Sequence, residues 1–67
     1  MEIQLSKHAL DQARERGISI SEIKRTIQRG AKHLQDKNKI VCDFMHIKVV
    51  YKKMHDIYFI ITVMIRK

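Results

Sequence analysis

The stretch of sequence that decides the fold is Ile57–Ile65, which reads IYFIITVMI. Its β-branched and aromatic residues favour a strand, and its length falls well short of the ~20 residues that a membrane-spanning helix needs. Every second residue is apolar, at positions 57, 59, 61, 63 and 65. We therefore predict a strand over about 57–66 with its odd-numbered side chains facing the core, and we expect no membrane anchor.

Upstream of this strand, a period of two in the sequence predicts further strands. Alternating apolar residues indicate strands over about 40–45 and 47–53, and residues 31–35 read more weakly as another. Short polar turns separate them, around Asp36–Lys39, at Met45-His46 and at 54–56. Strands joined by such short turns pair in antiparallel fashion, so we expect a three- to four-stranded antiparallel sheet.

Two helices are expected before the strands, over about residues 6–17 and 19–30. Ser6 is placed to cap the first helix and Gly17 to end it in the left-handed conformation. Ser19 and Glu22 have the spacing of a capping box for the second, which ends at Gly30. The predicted fold is a single α+β domain over 1–67, with two N-terminal helices packed on one face of the antiparallel sheet.

The composition favours a polyanionic partner. Fourteen Lys and Arg residues stand against seven Asp and Glu residues in a chain of 67, which gives a net charge of +7. Such a charge costs self-repulsion and suits a nucleic acid, and RNA is the partner we expect. The single cysteine, Cys42, excludes an internal disulfide and falls on the predicted core face as a small buried hydrophobe. We expect a cytoplasmic protein.

If the odd-numbered face of residues 57–66 meets the helices, the opposite face of the sheet stays open. On that face we expect Lys48, Lys52 and Arg66 to contact phosphates, and Tyr58 and Thr62 to supply hydroxyl groups. Val50, Ile60 and Met64 would give it an apolar centre. Such a face also suits a half-exposed sheet or a homodimer interface, and the pattern alone leaves these readings open.

The first predicted helix carries the residues best suited to acid–base chemistry. His8 has Arg14 and Arg16 on the same helix, although an exposed histidine is also common surface decoration. A histidine beside arginines is what metal-independent RNA cleavage needs: a base for the 2′-hydroxyl and cations for the phosphate. We assign Arg14 to nucleic-acid binding. The histidines, the cysteine and the acidic residues lack metal-ligand spacing, so we expect neither a metal nor a cofactor.

Four short segments carry a resemblance to a known family: His8-Ala9-Leu10, Arg14-Glu15-Arg16-Gly17-Ile18, Ser21-Glu22-Ile23 and Ile60-Ile61-Thr62-Val63. With these segments the chain resembles an uncharacterised small domain family related to the RelE/ParE toxin superfamily, in the barnase–EndoU–RelE fold group. The resemblance implies two helices on a curved antiparallel sheet, metal-independent RNA cleavage and a cognate antitoxin. It matches His8 and Arg16 to the helix residues of the catalytic set and Thr62 to its strand residue. Met64 stands where such proteins often have a tyrosine.

The function expected from these features is that of a toxin-like ribonuclease of a toxin–antitoxin system. Besides RNA, the expected partners are an acidic antitoxin protein and, through the open sheet face, a second copy of the chain. A non-catalytic nucleic-acid-binding module, a protein-interaction module and a topoisomerase poison of the same fold are the alternatives.

Overall fold

The computed structural model describes residues 1–66, which form five strands and two helices. In chain order these are β1 (Glu2–Leu5), α1 (Lys7–Arg16), α2 (Ile20–Arg29), β2 (Ala31–Leu34), β3 (Ile40–Phe44), β4 (Ile47–Met54) and β5 (Ile57–Ile65). The strands make one sheet in the order β1-β5-β4-β3-β2. The fold is α+β with two helices, as predicted, but the sheet is five-stranded and mixed rather than three- to four-stranded and antiparallel.

The additional strand is β1, which pairs with β5 in parallel through the register Glu2↔Ile57 to Leu5↔Ile60. Its apolar residues Ile3 and Leu5 pack against the core. Four residues of alternating polarity carry little periodic signal, which is why the sequence pattern did not predict this strand. All the other strand pairs are antiparallel, as expected from their short connections.

The core lies between the helices and one face of the sheet. The helices contribute Ala9, Ala13, Ile23 and Ile27 to it, and each of these is at most 4% exposed. The sheet contributes a second set of buried side chains: Cys42, Ile47, Val49, Tyr51, Ile60 and Val63. Both helices therefore cover the same face, and the opposite face of the sheet has no helix over it.

A β-bulge in β5 changes which side chains face this core. Tyr51 pairs with Ile60 whereas the neighbouring Val50 pairs with Thr62, so Ile61 is an extra residue in β5. Before the bulge the even-numbered side chains face the core, and after it the odd-numbered side chains do. The predicted continuous core face of Ile57–Ile65 is therefore wrong in its first half: Ile60 is fully buried in the core, whereas Ile57, Phe59 and Ile61 are only half-buried.

The same phase change moves Tyr58 away from the face predicted for it. Its ring packs against the core, with its centroid 5.4 Å from that of Tyr51. The Lys53 ammonium lies 5.2 Å from the Tyr58 ring centroid on the same side of the sheet. The expectation that Tyr58 supplies a hydroxyl group to the open face is corrected accordingly.

The two helices begin and end at the capping residues that the sequence indicates. Ser6 Oγ accepts a hydrogen bond from the Ala9 N–H at 3.0 Å, and Ser19 and Glu22 form a reciprocal capping box. The hydrogen bond from the Ser19 backbone N–H lowers the pKa of the Glu22 carboxyl group, because that bond favours the charged form. Gly17 ends α1 with φ at 66°, a conformation that favours glycine.

Gly30 is required for a different reason, because its backbone is closely approached from three sides. A Cβ atom at this position would lie 2.5 Å from the Thr26 carbonyl oxygen and 2.6 Å from both the Asp43 carbonyl oxygen and Cys42 Sγ. Two of these three neighbours are backbone atoms, which cannot rotate away. Gly30 thus lets the end of α2 pass directly over β3.

We predict that Gly30→Ala lowers the free energy of unfolding by about 1–3 kcal/mol, because the added methyl group overpacks the junction of α2 and β3. Gly17→Ala should cost about 1–2 kcal/mol for another reason, the left-handed backbone. Urea denaturation followed by circular dichroism measures both values.

Asparagine separates the two causes, since it tolerates the left-handed conformation but is larger than alanine. Gly17→Asn should be more stable than Gly17→Ala, and Gly30→Asn should be less stable than Gly30→Ala. Equal stabilities of Gly30→Ala and the unmodified protein would contradict the close approach.

Candidate functional site

The open face of the sheet carries one row of side chains in register across four strands. His33 pairs with Val41, Val41 with Val50, and Val50 with Thr62. Adjacent strands are ~4.8 Å apart, so the row extends about 14 Å from the backbone of His33 to that of Thr62. Its centre is apolar, and its two ends carry an imidazole and a hydroxyl group.

Lysines flank this row on both sides. Lys48 lies on one side, paired with Asp43 on β3 and with Met64 on β5. Lys52 lies on the other side, paired with Phe59. Lys39 precedes Ile40, which pairs with Tyr51, so continuing the register places Lys39 beside Lys52. The open face thus presents ammonium groups along both edges of an apolar strip.

The row and part of its flanks form a shallow concavity of about 360 Å³. Its lining residues come from all four strands and the β2–β3 hairpin: His33, Gln35, Lys39, Val41, Lys48, Val50, Ile61, Thr62 and Met64. Every formally charged side chain in this lining is a lysine. The concavity therefore suits an anionic ligand that also has an apolar surface to bury.

The β5 bulge supplies part of the floor of this concavity. Because Ile61 is the extra residue opposite Val50, both Ile61 and Thr62 reach the open face, where a regular strand would present only one of them. Val41 and Val50 are 7% and 8% exposed although they lie outside the core cluster. The side chains of the open face thus cover them, and the floor is a packed surface.

Ser6, the N-cap of α1, and Gln12 of α1 hold the bulge in place. The Ser6 N–H donates to the Ile60 carbonyl at 2.9 Å, and Ser6 Oγ donates to the Ile61 carbonyl at 3.2 Å. One step further, the Val63 N–H donates to Gln12 Oε1 at 3.0 Å. These bonds provide hydrogen-bond partners for the backbone of β5 beyond Ile60, the last residue that pairs with β1. They anchor the strand on both sides of Thr62.

The structure does not bring the predicted residues of α1 into this concavity. His8, Gln12 and Arg16 are spaced four residues apart and share one flank of the helix, and Gln12 meets the β5 edge. His8 and Arg16 therefore lie one turn to either side of that contact, both exposed. Arg16 Nη1 is 3.8 Å from Glu15 Oε2. Thr62 opens onto the other side of the sheet.

Two predicted phosphate contacts, Lys48 and Lys52, lie on the open face as expected, and Arg14 is exposed on α1. Arg66 is engaged elsewhere: its Nη1 donates to the Met45 carbonyl at 3.1 Å, and its Nε lies 3.7 Å from Asp43 Oδ1. Arg66 therefore ties the end of β5 to the β3–β4 turn, and the Asp43 carboxylate partly neutralises its charge.

His33 and Lys39 also line the concavity, although the sequence analysis did not predict them as functional residues. The β2–β3 hairpin places them, because Asp36 Oδ1 accepts hydrogen bonds from the backbone N–H groups of Asn38 and Lys39 at 2.8 and 3.0 Å. The turn sets Leu34 opposite Ile40 and hence His33 opposite Val41. The signal that identifies them is the register of the predicted hairpin, which sets His33 opposite Val41.

Cys42 is a core residue, as expected. It is fully buried, and its Sγ donates to the Thr26 carbonyl at 2.8 Å. Burial raises the pKa of the Cys42 thiol, so this group stays protonated at neutral pH. It takes no part in the chemistry of the open face.

Comparison with known proteins shows the family of the chain. Residues 5–65 match the model of the domain of unknown function DUF4258, and the chain belongs to that family. No curated protein and no solved structure matches the chain. Across residues 1–66, no three or more His, Cys, Asp or Glu side chains cluster in a way that could hold a metal ion, and no helix is long and apolar enough to cross a membrane.

We predict that Ser6→Ala destabilises the protein by about 1 kcal/mol more than Ser19→Ala does. Each substitution removes an N-cap, at a cost of about 1 kcal/mol, but only Ser6 also bonds the bulge at Ile61, which adds about 1 kcal/mol. Thermal and urea denaturation of the two variants measure the difference. Equal losses would show that Ser6 acts as a helix cap alone.

Proposed function

We propose that this protein binds single-stranded RNA on the open face of its sheet and cleaves it without a metal ion, as a toxin-like endoribonuclease of a toxin–antitoxin type system. The observation that carries the proposal is the concavity on that face, where lysines are the only formally charged lining residues around an apolar floor. The resemblance to the RelE/ParE superfamily points to the same chemistry.

The arrangement of charge and apolar surface supports RNA as the ligand. Lys48 on one side of the row and Lys39 and Lys52 on the other can contact phosphates on both sides of a bound strand. Between them the half-buried side chains of Ile61 and Met64, which lie over the buried valines, offer apolar surface to an unpaired base. A duplex keeps its bases stacked and cannot use that surface, which is why we propose a single strand.

The proposed reaction is attack of a 2′-hydroxyl on the adjacent phosphorus. A base removes the hydroxyl proton, cations stabilise the charge that develops on the phosphate oxygens, and an acid protonates the 5′-oxygen as it leaves. Lys48 can contact a phosphate of a strand bound on this face, and the Thr62 hydroxyl can donate a hydrogen bond to a nucleotide of the same strand. The family resemblance assigns the role of the base to His8 and that of a further cation to Arg16. To reach these two residues, the bound RNA would have to pass around the edge of β5.

Two partners follow from this proposal. An acidic antitoxin would neutralise part of the net charge of +7, and it would act by covering the lysines of the open face. With RNA and such an antitoxin as partners, the cytoplasm is the compartment that we propose. A homodimer formed through the open face would bring two sets of these lysines together and would compete with RNA for the same surface.

Met64 favours a second candidate function, RNA binding without cleavage. It lines the concavity at the position where related toxins often carry a tyrosine, and a thioether can neither donate nor accept a proton in catalysis. If the family tyrosine is essential to the reaction, the lysines and the apolar floor still provide a binding surface.

We predict that the purified protein binds a fluorescent single-stranded RNA oligonucleotide and cleaves it in the presence of EDTA. Lys48→Ala should weaken binding and reduce the slope of log affinity against log salt by ~0.7, the value for one lost phosphate contact on a single strand. Lys24→Ala is the matched control, since Lys24 is an exposed lysine on α2, in the helix layer on the other side of the sheet. Fluorescence anisotropy over a salt series measures both variants.

Each result decides between the candidates. Binding with no cleavage supports the second function, and equal effects of the two lysine substitutions would contradict the open face as the binding surface. No binding at low salt would contradict both RNA functions. If the monomer binds RNA and a stable dimer does not, the open face is also the homodimer interface.

A further inference from the structure

We infer that His33 is the residue that exchanges protons with the RNA in the cleavage reaction, an inference that rests on the proposed ribonuclease function. His33 is the histidine that lines the concavity of the open face. It is exposed on the edge strand β2, where both ligand and solvent can reach its ring.

The other three histidines occupy different parts of the molecule. His8 lies on the flank of α1, behind the sheet as seen from the open face. His46 belongs to the β3–β4 turn and lines a separate small groove together with Glu22 and Arg25 of α2. His55 belongs to the β4–β5 turn at the opposite end of β4. Only His33 shares a surface with the lysines that would hold the phosphate.

The surroundings of His33 suit proton transfer next to a phosphate. Its cross-strand partner is Val41, part of the apolar floor, and Lys39 lies two residues before Val41 on the same face. Diagonal neighbours of this kind are about 7–8 Å apart, within the span of one phosphate contacted by both side chains. Lys39 can therefore hold the phosphate whose neighbouring 2′-hydroxyl meets the imidazole.

The step that we assign to His33 balances as follows. The imidazole accepts the proton of the 2′-hydroxyl, the 2′-oxygen forms a bond to phosphorus, and the bond from phosphorus to the 5′-oxygen breaks. The products are a 2′,3′-cyclic phosphate and a free 5′-hydroxyl, whose proton comes from solvent or a second side chain. Nothing is oxidised or reduced, and the reaction needs no co-reactant.

The length of the row separates the role of His33 from that of Thr62. The two backbones are about 14 Å apart across four strands, which exceeds the reach of both side chains toward one phosphate. If His33 meets the reacting nucleotide, Thr62 contacts a neighbouring one. Loss of the Thr62 hydroxyl should therefore raise KM, whereas loss of the imidazole should lower kcat.

The test is cleavage of a 5′-labelled single-stranded RNA oligonucleotide in EDTA by the full chain and its variants. We expect His33→Ala and His33→Gln to lower kcat about 100-fold or more and to change the RNA dissociation constant less than threefold. Thr62→Val should raise KM with kcat nearly unchanged. His46→Ala is the matched control and should keep both constants. Circular dichroism checks that each variant is folded.

The outcomes separate this inference from the function on which it rests. If the unmodified protein cleaves RNA and both His33 variants keep kcat within threefold, the inference is wrong and the ribonuclease function stands. Loss of cleavage in His8→Ala but not in His33→Ala would assign the base to α1. If the unmodified protein binds RNA but cleaves none, the ribonuclease function and the role of His33 both fail, and RNA binding alone is left.

Discussion

The structure depends on one irregularity, the bulge at Ile61 in β5. The strand is the longest in the sheet, and it pairs with β1 on one side and with β4 on the other. Adding one residue between Ile60 and Thr62 turns the second half of the strand over, so that Ile60 and Val63 can both be buried in the core. It also turns Ile61 and Thr62 outward together. Ser6 and Gln12 hold this geometry from α1, which couples the helix layer to the shape of the open face.

The elements that the sequence predicts well are those set by local interactions. The helices follow from caps that act within four residues, Ser6 with Ala9 and Ser19 with Glu22. β1 was missed because four residues carry too little periodicity, and because its partner β5 lies more than fifty residues away in the chain. The prediction of which β5 side chains face the core is wrong in the first half of the strand, because strict alternation cannot show a bulge. Both the odd-numbered and the even-numbered residues of 57–65 are largely apolar, so either set could face the core.

The residues of the candidate site likewise divide into those that a local sequence pattern predicts correctly and those that it does not. Lys48, Lys52 and Thr62 were placed on the open face because they lie where the alternation of β4 and β5 is regular. Tyr58 was misplaced because it precedes the bulge, and the contacts of Arg66 with Asp43 and Met45 depend on a turn whose geometry the sequence does not specify. The register of the β2–β3 hairpin alone is enough to place His33 on the open face. The composition of one helix and the family resemblance point to His8 and Arg16, but neither takes into account that α1 and Thr62 lie on opposite sides of the sheet.

Charge and shape together are the reasons why we propose the open face as the RNA-binding surface. The net charge of +7 is not confined to a tail, and the lysines of β4 and the β2–β3 hairpin border a packed apolar strip. The most direct test of this account is amide chemical-shift mapping of the ¹⁵N-labelled protein with a 2′-O-methyl oligonucleotide, which binds like RNA but lacks the attacking hydroxyl. The account predicts the largest shifts at His33, Val41, Val50 and Thr62, with little change along α2. Shifts concentrated on α1 or α2, with the open face unchanged, would contradict it.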